Sequence, residues 1–178
     1  NFRLTSQLLN DIQKGFNTGS MRNIYSPNVR CAQELIVDQL ADQMRADKDP
    51  YKFRRQFLKD ARSRAVLDKV AEVGNWGRKM PAGTAQGIAF HTEYKGVDAA
   101  LVEIDCRPET VNRKIHDAYT GPRVTKVVFA VDVGLAINPL GLEAQMMGGI
   151  MDGLGLALSN SLHLKDGYFL EGSWDNYF

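Results

Sequence analysis

The sequence predicts an α+β fold: a helical segment at about residues 20–77, followed at about residues 84–178 by a β-sheet with a glycine-rich helix. Two observations predict this order. Apolar residues recur at three- and four-residue steps up to Gly74, the spacing of one helix face, and beyond Gly77 they form strand-like runs. The 178 residues suffice for one compact domain with its own core, which is the default for this length.

The first helix is predicted to begin at Ser26-Pro27, because a hydroxyl residue followed by proline is a common helix start. It is predicted to be amphipathic and to end near Asp47. Its apolar stripe consists of Val29, Ala32, Ile36, Leu40 and Met44.

Two further helices complete the helical segment. Asp49-Pro50 repeats the start signal and precedes a short helix with Phe53 and Phe57 on one face. A third helix is predicted to end at Gly74, since glycine is favoured at helix ends. The apolar positions of the third helix are Val66, Val70 and Val73.

The second half opens with strands. Gln86–Glu93 and Val97–Asp105 are predicted to be two strands joined by a turn around Lys95-Gly96. The stretch Arg107–Pro122 carries prolines and a glycine among charges, which favours a long surface loop. Thr125–Asp132 is apolar enough to predict a strand buried on both faces.

A glycine-rich helix is expected next. Gly134–Pro139 breaks the strand, and a helix is predicted over Gly141–Ser159. Asp166-Gly167 then predicts the turn of a hairpin between Ser161–Leu164 and Tyr168–Glu171. The helix carries a regular apolar stripe that indicates ordinary core packing. The stripe consists of Leu142, Met146, Ile150, Leu154 and Leu158.

The glycines of this helix are unusual. Gly148, Gly149, Gly153 and Gly155 each cost about 1 kcal/mol of helix propensity relative to alanine, which predicts a compensating close approach. Either another backbone or a ligand that needs main-chain N–H donors could approach so closely, and the glycines alone leave both open. Gln145, one turn earlier, favours a ligand, because its amide can donate and accept in one plane, as a fused-ring heterocycle requires.

Composition and motifs exclude several classes of function. Lysine plus arginine number 22 and aspartate plus glutamate 21, so no net field favours nucleic acid or an anionic membrane. Cys31 and Cys106 lack the spacing of a zinc or iron–sulfur site, and no apolar run is long enough to span a bilayer. The Rossmann, P-loop, G-x-S-x-G and H-E-x-x-H motifs are absent, and His91, His116 and His163 lie far apart.

The two ends of the chain predict a piece of a longer polypeptide. Asn1 is not an initiator methionine. The last residues, 168–178, are aromatic and strand-like rather than polar.

Two blocks of motifs are specific. The first is the spacing D-V-G-x-x-x-N-P-x-x-x-x-x-Q-x-x-G from Asp132 to Gly148. The second contains Thr18–Arg22, the helix from Ser26, and a D-P-x-x-F-R step at Asp49–Arg54. With the strands between them, these blocks resemble the large subunit of the molybdenum hydroxylases, the xanthine dehydrogenase and aldehyde oxidoreductase family, most closely its isoquinoline 1-oxidoreductase type. The resemblance spans nearly the whole chain.

The resemblance implies that residues 1–178 are part of a larger molybdopterin-binding domain. It implies that Gln145 hydrogen-bonds the pterin of a molybdopterin dinucleotide, in its cytosine form, with Gly148 and Gly149 close to it. Arg22 would lie beside the oxygen ligands of the metal, where a guanidinium stabilises oxo groups and charge on substrate oxygen. No residue of this chain is assigned as a metal ligand. Asn23-Ile24-Tyr25 departs from the aromatic residue and glycines that often follow this arginine in the family.

The activity that the resemblance implies is that of a bacterial molybdenum-dependent oxidoreductase, which hydroxylates aldehydes or N-heteroaromatics with oxygen derived from water. The implied partners are the remainder of the large subunit, a small subunit that carries the iron–sulfur clusters, and a small-molecule substrate. Nucleic acid and membrane insertion by this chain are not implied. The family's general-base glutamate lies in a glycine-rich motif that is absent here, so this chain alone is expected to be inactive.

Two alternatives remain open from the sequence. One is a non-catalytic α+β binding or scaffold domain, whose glycine-rich helix only packs on a sheet. The other is a nucleotide-binding module, which depends on the glycine-rich helix alone. The sequence does not distinguish a cytoplasmic from a periplasmic protein.

Overall fold

The chain forms two compact units, which are described separately. The computed structural model describes residues 6, 8, 26–45, 47–115 and 118–173. The first unit comprises Asn1–Arg107 and Arg123–Gly134, and the second comprises Pro108–Pro122 and Leu135–Phe178. Helices come first and strands with a long helix follow, which confirms the α+β fold class.

The elements follow the predicted order closely. The helices are α1 (Ser26–Met44), α2 (Pro50–Phe57), α3 (Ala61–Gly74), α4 (Pro108–Val111) and α5 (Pro139–Leu158). The strands are β1 (Thr84–Glu93), β2 (Gly96–Asp105), β3 (Lys114–Ile115), β4 (Ala118–Tyr119), β5 (Arg123–Asp132), β6 (Leu164–Lys165) and β7 (Tyr168–Phe169).

The second and third helices begin at aspartate caps. Asp49 caps α2 by accepting the N–H of Tyr51 at 2.9 Å, and Asp60 caps α3 by accepting the N–H of Ser63 at 2.8 Å. Asn75 follows α3 in the left-handed conformation, with φ 52°. Because these signals are local in sequence, the predicted helices are confirmed with small shifts of their ends.

The apolar stripe of α1 is not its buried face. Val29, Ile36 and Met44 are 51%, 54% and 64% exposed, whereas Ala41, outside the stripe, is fully buried. The helix also ends at Met44, three residues before the predicted Asp47. The physical reason is that α1 meets α2 partly through the charged side chains that bind Arg54, which the apolar period does not reveal.

A three-stranded antiparallel sheet forms the centre of the first unit, in the order β1-β2-β5. Helix α3 packs on one face of it. The core residues are Val66, Leu67, Val70, Ala71, Ile88, Val97, Ala99 and Leu101. Gly74 lets the end of α3 lie against the sheet, because a Cβ on this residue would be 2.4 Å from Leu101 Cδ1.

The prediction that Thr125–Asp132 is buried on both faces is wrong. This segment lies in β5, which occupies an edge of the sheet, and every residue of β5 is at least partly exposed. The apolar run encodes a strand with one packed face, because α3 covers one side of the sheet. Continuous hydrophobicity therefore predicted the strand but not its burial.

The second unit contains more regular structure than the sequence predicted. The expected loop Arg107–Pro122 includes the short helix α4 and the hairpin of β3 and β4. These elements are four and two residues long, too short to leave a periodic pattern. The predicted hairpin around Asp166-Gly167 is confirmed, with strands of two residues each.

Helix α5 is the main element of the second unit. It begins at Pro139, two residues before the predicted start, and none of its residues is fully buried. The core packing predicted for its apolar stripe is therefore not seen in the part of the chain that the structure describes. Among the described helices, none is both long and apolar enough to cross a bilayer.

Candidate cofactor-binding site

The start of α5 is set by the N-P pair of the motif. Asn138 Oδ1 accepts the N–H of Gly141 at 2.9 Å, and its carbonyl accepts the N–H of Leu142 at 2.9 Å. Pro139 is the first helical residue, a position whose N–H has no helical acceptor in any case. Glycine suits position 141, because a Cβ there would lie 3.0 Å from the Asn138 side chain. The cap therefore fixes where the helix begins.

Residues 145 and 149, a glutamine and a glycine, occupy positions on nearly the same side of α5. Four residues turn through about 400°, so the two positions are about 40° apart around the helix axis. Gln145 is exposed, and a Cβ built on Gly149 meets no atom within 4 Å. Gly148 lies about 60° from Gln145 in the other direction. Gln145, Gly148 and Gly149 are called the cofactor face below.

The remaining glycines of α5 differ from one another. A Cβ on Gly155 would lie 2.5 Å from Asn160 Nδ2. The Gly155 carbonyl also accepts the N–H groups of Ser159 and Asn160, at 2.9 and 2.7 Å. A Cβ on Gly153 would meet nothing within 4 Å. A Cβ on Gly155 would therefore meet the Asn160 side chain, whereas no atom of the described chain lies within 4 Å of a Cβ on Gly149 or Gly153.

The glycines of the cofactor face are not helix-start donors. Gly148 and Gly149 are the tenth and eleventh residues of a helix that begins at Pro139. Only the first four N–H groups of a helix lack an acceptor within it. A ligand that binds main-chain N–H donors, one of the two possibilities considered from the sequence, is therefore not supported at these positions. The other possibility, close approach of another backbone, is not seen at Gly149 among the described residues, because no atom lies within 4 Å of a Cβ placed there.

An ion-pair clamp lies at the other end of the same motif. Arg62 on α3 donates from Nε to Asp132 Oδ2 at 2.7 Å and from a terminal nitrogen to Oδ1 at 2.8 Å. It also donates to the carbonyls of Asp132 at 2.6 Å and Lys95 at 2.7 Å. Oδ1 of Asp132 accepts the N–H of Gly134 at 2.8 Å as well. The hydrogen bonds from Arg62, and to a smaller extent the one from the Gly134 N–H, lower the pKa of Asp132 to about 2. They are called the Arg62 clamp below.

Arg22 lies outside the described residues, so its predicted place beside the metal stays a prediction. Within residues 26–45, 47–115 and 118–173, no group of three or more histidine, cysteine, aspartate or glutamate side chains is placed to hold a metal ion. The structure therefore brings three of the four predicted site residues together, on one helix.

A separate cleft of about 420 Å³ lies in the first unit, between α1 and the first two strands. Its polar lining includes Arg54, which is hydrogen-bonded to Glu34 and Asp38, and His91, whose Nδ1 is buried without a partner. All residues that line this cleft belong to the first unit.

Residues 28–178 match the family model described as "Molybdopterin cofactor-binding domain". The matched range includes the Asn138 cap, the cofactor face and both residues of the Arg62 clamp. The chain belongs to the molybdopterin cofactor-binding domain family. The resemblance to the large subunit of molybdenum hydroxylases, stated from the motifs, is thereby confirmed.

Curated relatives of this molybdopterin-binding domain carry oxidoreductase names. The isoquinoline 1-oxidoreductase beta subunit of Brevundimonas diminuta is 34% identical over 161 residues, which are 88% of this chain and 19% of the relative. A nicotinate dehydrogenase subunit of Pseudomonas putida is 24% identical over 182 residues, 95% of this chain and 15% of the relative. A membrane-bound aldehyde dehydrogenase of Gluconacetobacter polyoxogenes, whose name specifies pyrroloquinoline quinone, is 26% identical over 188 residues. The match covers 96% of this chain and 23% of the relative.

The chain therefore spans between 15% and 23% of the length of these relatives. No solved structure matches the chain significantly.

The cofactor face of this molybdopterin-binding domain fits a pterin in its chemistry. A flat fused ring presents donors and acceptors at its edge, and the exposed Gln145 amide can pair with both kinds. A ring held at that edge would lie over the neighbouring helix surface. At Gly149 the space that a Cβ would enter holds no atom of the described chain, so a flat ring would meet no described side chain there.

Proposed function

We propose that this domain forms one wall of the cofactor site in the large subunit of a bacterial molybdenum-dependent oxidoreductase. The substrates are proposed to be aldehydes or N-heteroaromatics, which are hydroxylated with oxygen from water. One observation carries the proposal: a chain of the molybdopterin-binding family places an exposed glutamine one helical turn before Gly149, where no described atom lies within 4 Å of the space that a Cβ would occupy. The names of the three relatives support the substrate classes.

Each part of the cofactor face has a separate task in this proposal. Bound molybdopterin would supply the molybdenum centre, at which a substrate would gain an oxygen atom from water while substrate and water together release two electrons and two protons. Gln145 holds the edge of the pterin by in-plane hydrogen bonds. Gly148 and Gly149 let the ring lie against the helix. The Asn138 cap sets the start of α5 and with it the position of Gln145 along the helix axis.

Arg22 is proposed to lie beside the oxygen ligands of the metal. Arg22 lies four residues before the start of α1, and residues 18–22 begin the second motif block. A guanidinium is always charged and offers a planar fork of donors, which suits developing negative charge on oxygen. Substitution by lysine would keep the charge and lose the fork.

The cofactor is proposed to be the cytosine dinucleotide form of molybdopterin. Electrons are proposed to leave through iron–sulfur clusters of a small partner subunit, while the general base lies in the remainder of the large subunit. Two of the relatives are named as single subunits of their enzymes, which supports an assembly of several chains. Both compact units of this chain are proposed to belong to one larger domain.

The first experiment replaces Gln145 by alanine in the complete large subunit, expressed with its partner. Two lost hydrogen bonds at about 1 kcal/mol each predict roughly 30-fold weaker cofactor binding. The measurements are molybdenum and pterin per polypeptide after gel filtration, with circular dichroism to follow the fold. Gln43→Ala is the matched control, because Gln43 is also an exposed glutamine on a helix. It is expected to retain the cofactor.

A second variant separates binding from stability. Gly149→Ala should stabilise the helix by about 1 kcal/mol, since its methyl group meets no described atom. On the cofactor face the same methyl group should obstruct the pterin, so stability rises while cofactor content falls. Gly153→Ala is the comparator: it should stabilise the helix equally and leave cofactor content unchanged.

Two outcomes would count against the proposal in different ways. If Gln145→Ala and Gly149→Ala both retain full molybdenum and pterin, the site is misplaced on this chain. If the unmodified subunit itself contains neither, the oxidoreductase proposal fails and the scaffold alternative is favoured.

A further inference from the structure

We infer that the free edge of β5 pairs with an extended strand that belongs to the remainder of the large subunit. The free edge consists of the main-chain N–H and C=O groups of Val127, Phe129 and Val131, in the first unit. This surface is separate from the proposed function, which concerns the cofactor face. The two share only the membership of this chain in a larger subunit.

The register of the sheet shows which main-chain groups of β5 point outward. Phe90 on β1 donates its N–H to Glu34 Oε2 on α1 at 2.9 Å, so Phe90 does not exchange hydrogen bonds with Ala99 opposite it. Opposite residues in antiparallel strands alternate between pairs that exchange these bonds and pairs that do not. The groups of Ala99 therefore turn toward β5, where Ala130 is the partner. By the same alternation, the groups of the free edge turn away from β2.

The two edges of this sheet differ in what covers them. At β1, helix α1 supplies Glu34, which accepts the Phe90 N–H, and Arg30, which donates to the Thr92 carbonyl at 3.5 Å. At β5, no described strand other than β2 is paired, and no described main-chain group bonds to the free edge. One edge is therefore covered by a helix, and the other is open in the described chain.

The free edge also lacks the features that keep an exposed strand from pairing. Such strands usually carry a proline, a bulge or a charge, or are very short. Strand β5 is 10 residues long, and its stretch V-V-F-A-V over residues 127–131 contains no proline, charge or register shift. A long apolar edge of this kind indicates a surface that is paired in the working protein.

The chemistry of the edge defines the kind of partner. Only another extended backbone matches a row of alternating donors and acceptors, so the partner is a strand. Cross-strand neighbours interact on each face, and the uncharged stretch therefore favours apolar residues on the added strand. Arg123 and Lys126 are exposed at the start of β5 and favour a carboxylate opposite them. The expected partner is an apolar strand with an acidic end.

The length of the relatives indicates where this strand comes from. The matches cover between 88% and 96% of this chain but only 15% to 23% of the relatives, so more than three quarters of each relative lies outside them. A strand in the same polypeptide is held at a high effective concentration, whereas a separate molecule loses translational and rotational freedom on binding. The strand is therefore assigned to the large subunit itself, outside residues 1–178.

The first test is residue-resolved hydrogen exchange on the complete, unmodified subunit with its partner, measured by electron-transfer mass spectrometry. The amides of Val128 and Ala130 bond to β2 and are the internal control. If the free edge is paired, its amides should exchange as slowly as these two, within about tenfold. Faster exchange than that, alternating along the strand with the control amides, would overturn the inference.

The second test identifies the strand. Lys126→p-benzoylphenylalanine places a photo-cross-linker next to Val127, where an added strand would lie about 5 Å away. The expected product is a cross-link to a peptide of the same polypeptide outside residues 1–178, with the mass of the subunit unchanged. Lys69→p-benzoylphenylalanine is the matched control, because Lys69 is also an exposed lysine of the first unit, on α3. It should not cross-link to that peptide.

The other products would each overturn the assignment. A cross-link to a second copy would double the mass, and one to the small subunit would add the mass of that subunit. Either product, a cross-link within residues 1–178, or the absence of any cross-link would show that the remainder of the large subunit does not supply the strand.

The molybdenum and pterin content of the same sample separates this inference from the proposed function. If the amides of the free edge exchange fast in a subunit that contains molybdenum and pterin, the pairing is wrong and the proposed function stands. If the subunit contains neither while these amides exchange slowly and the expected cross-link forms, the proposed function fails and the pairing stands.

Discussion

Replacing Arg54 by methionine is expected to destabilise the first unit by about 3 kcal/mol. Arg54 is 4% exposed, and it donates to Glu34 Oε2 at 2.8 Å and to Asp38 Oδ1 at 2.6 Å. It also donates to the carbonyls of Glu34 and Pro50, each at 3.2 Å. Methionine retains much of the apolar stem and removes the donor from both carboxylates.

The magnitude follows from how far those carboxylates can regain water. Removing one partner of a buried ion pair costs about 3–5 kcal/mol. The side chains of Glu34 and Asp38 are 24% and 47% exposed, so partial hydration places the expected cost at the lower end. Adding Glu34→Gln and Asp38→Asn to Arg54→Met should recover part of the loss, because no uncompensated carboxylate remains. The amide oxygen of Glu34→Gln could still accept the Phe90 N–H that Glu34 accepts at 2.9 Å.

The assay is urea unfolding followed by circular dichroism, with Arg55→Met as the control. Arg55 is the next residue of α2, and its pair with Asp68 is half-exposed, so its loss should change the free energy of unfolding by no more than about 1 kcal/mol. For Arg54→Met the midpoint should fall by about 1–2 M. Equal shifts for the two variants would refute the reasoning. A triple variant no more stable than Arg54→Met would show that lost packing, not charge, dominates.

Three further outcomes are expected. Gly74→Ala should lower stability by about 1–3 kcal/mol, because its Cβ would lie 2.4 Å from Cδ1 of the fully buried Leu101; thermal unfolding at a higher temperature than the unmodified protein would contradict this. Arg78 donates to the buried Glu103 at 2.8 Å and holds the pKa of that carboxyl below its usual range. The stabilisation that the ionised Glu103 carboxylate contributes is therefore complete above its pKa in the unfolded chain, about 4.3, and is lost as the pH falls through its lower pKa in the folded protein. Glu103→Gln should remove this dependence and flatten the acid side of a Tm–pH curve. Asn138→Ala should destabilise α5 by about 1 kcal/mol, measured as lost helical circular dichroism, while Asn138→Asp retains a capping oxygen.

Local signals in the sequence predicted most of the fold. The pairs Ser26-Pro27 and Asp49-Pro50 marked the starts of α1 and α2, a change of period marked β1 and β2, and Asp166-Gly167 marked the last hairpin. Each of these signals acts within a few residues, so one sequence is enough to reveal it. The start of α5 was predicted two residues late because Asn138-Pro139 was interpreted as a break rather than as the cap that it forms.

Interactions between residues that are far apart in the sequence were missed, because the signals that can be recognised in one sequence act only within a few residues. Arg62 and Asp132 are 70 residues apart, and nothing near Arg62 in the sequence indicates its partner. The edge position of β5 likewise depends on pairing order, which an apolar run does not specify. The predicted cofactor face needed no such information, because Gln145, Gly148 and Gly149 lie within five residues of one helix. Arg22 lies outside the described residues, and its role stays a prediction.

The open position at Gly149 of α5 has a consequence for how the protein matures. Gly149 weakens the helix by about 1 kcal/mol relative to alanine, and no atom of the described chain packs against the space beside it. On the proposed assignment, the helix regains that stability only when a cofactor lies on its surface. A ligand that binds only the folded state raises the free energy of opening. Newly made subunits without cofactor should therefore open more often at α5 and be degraded faster by proteases than loaded ones, so that cofactor insertion also serves as a quality-control step.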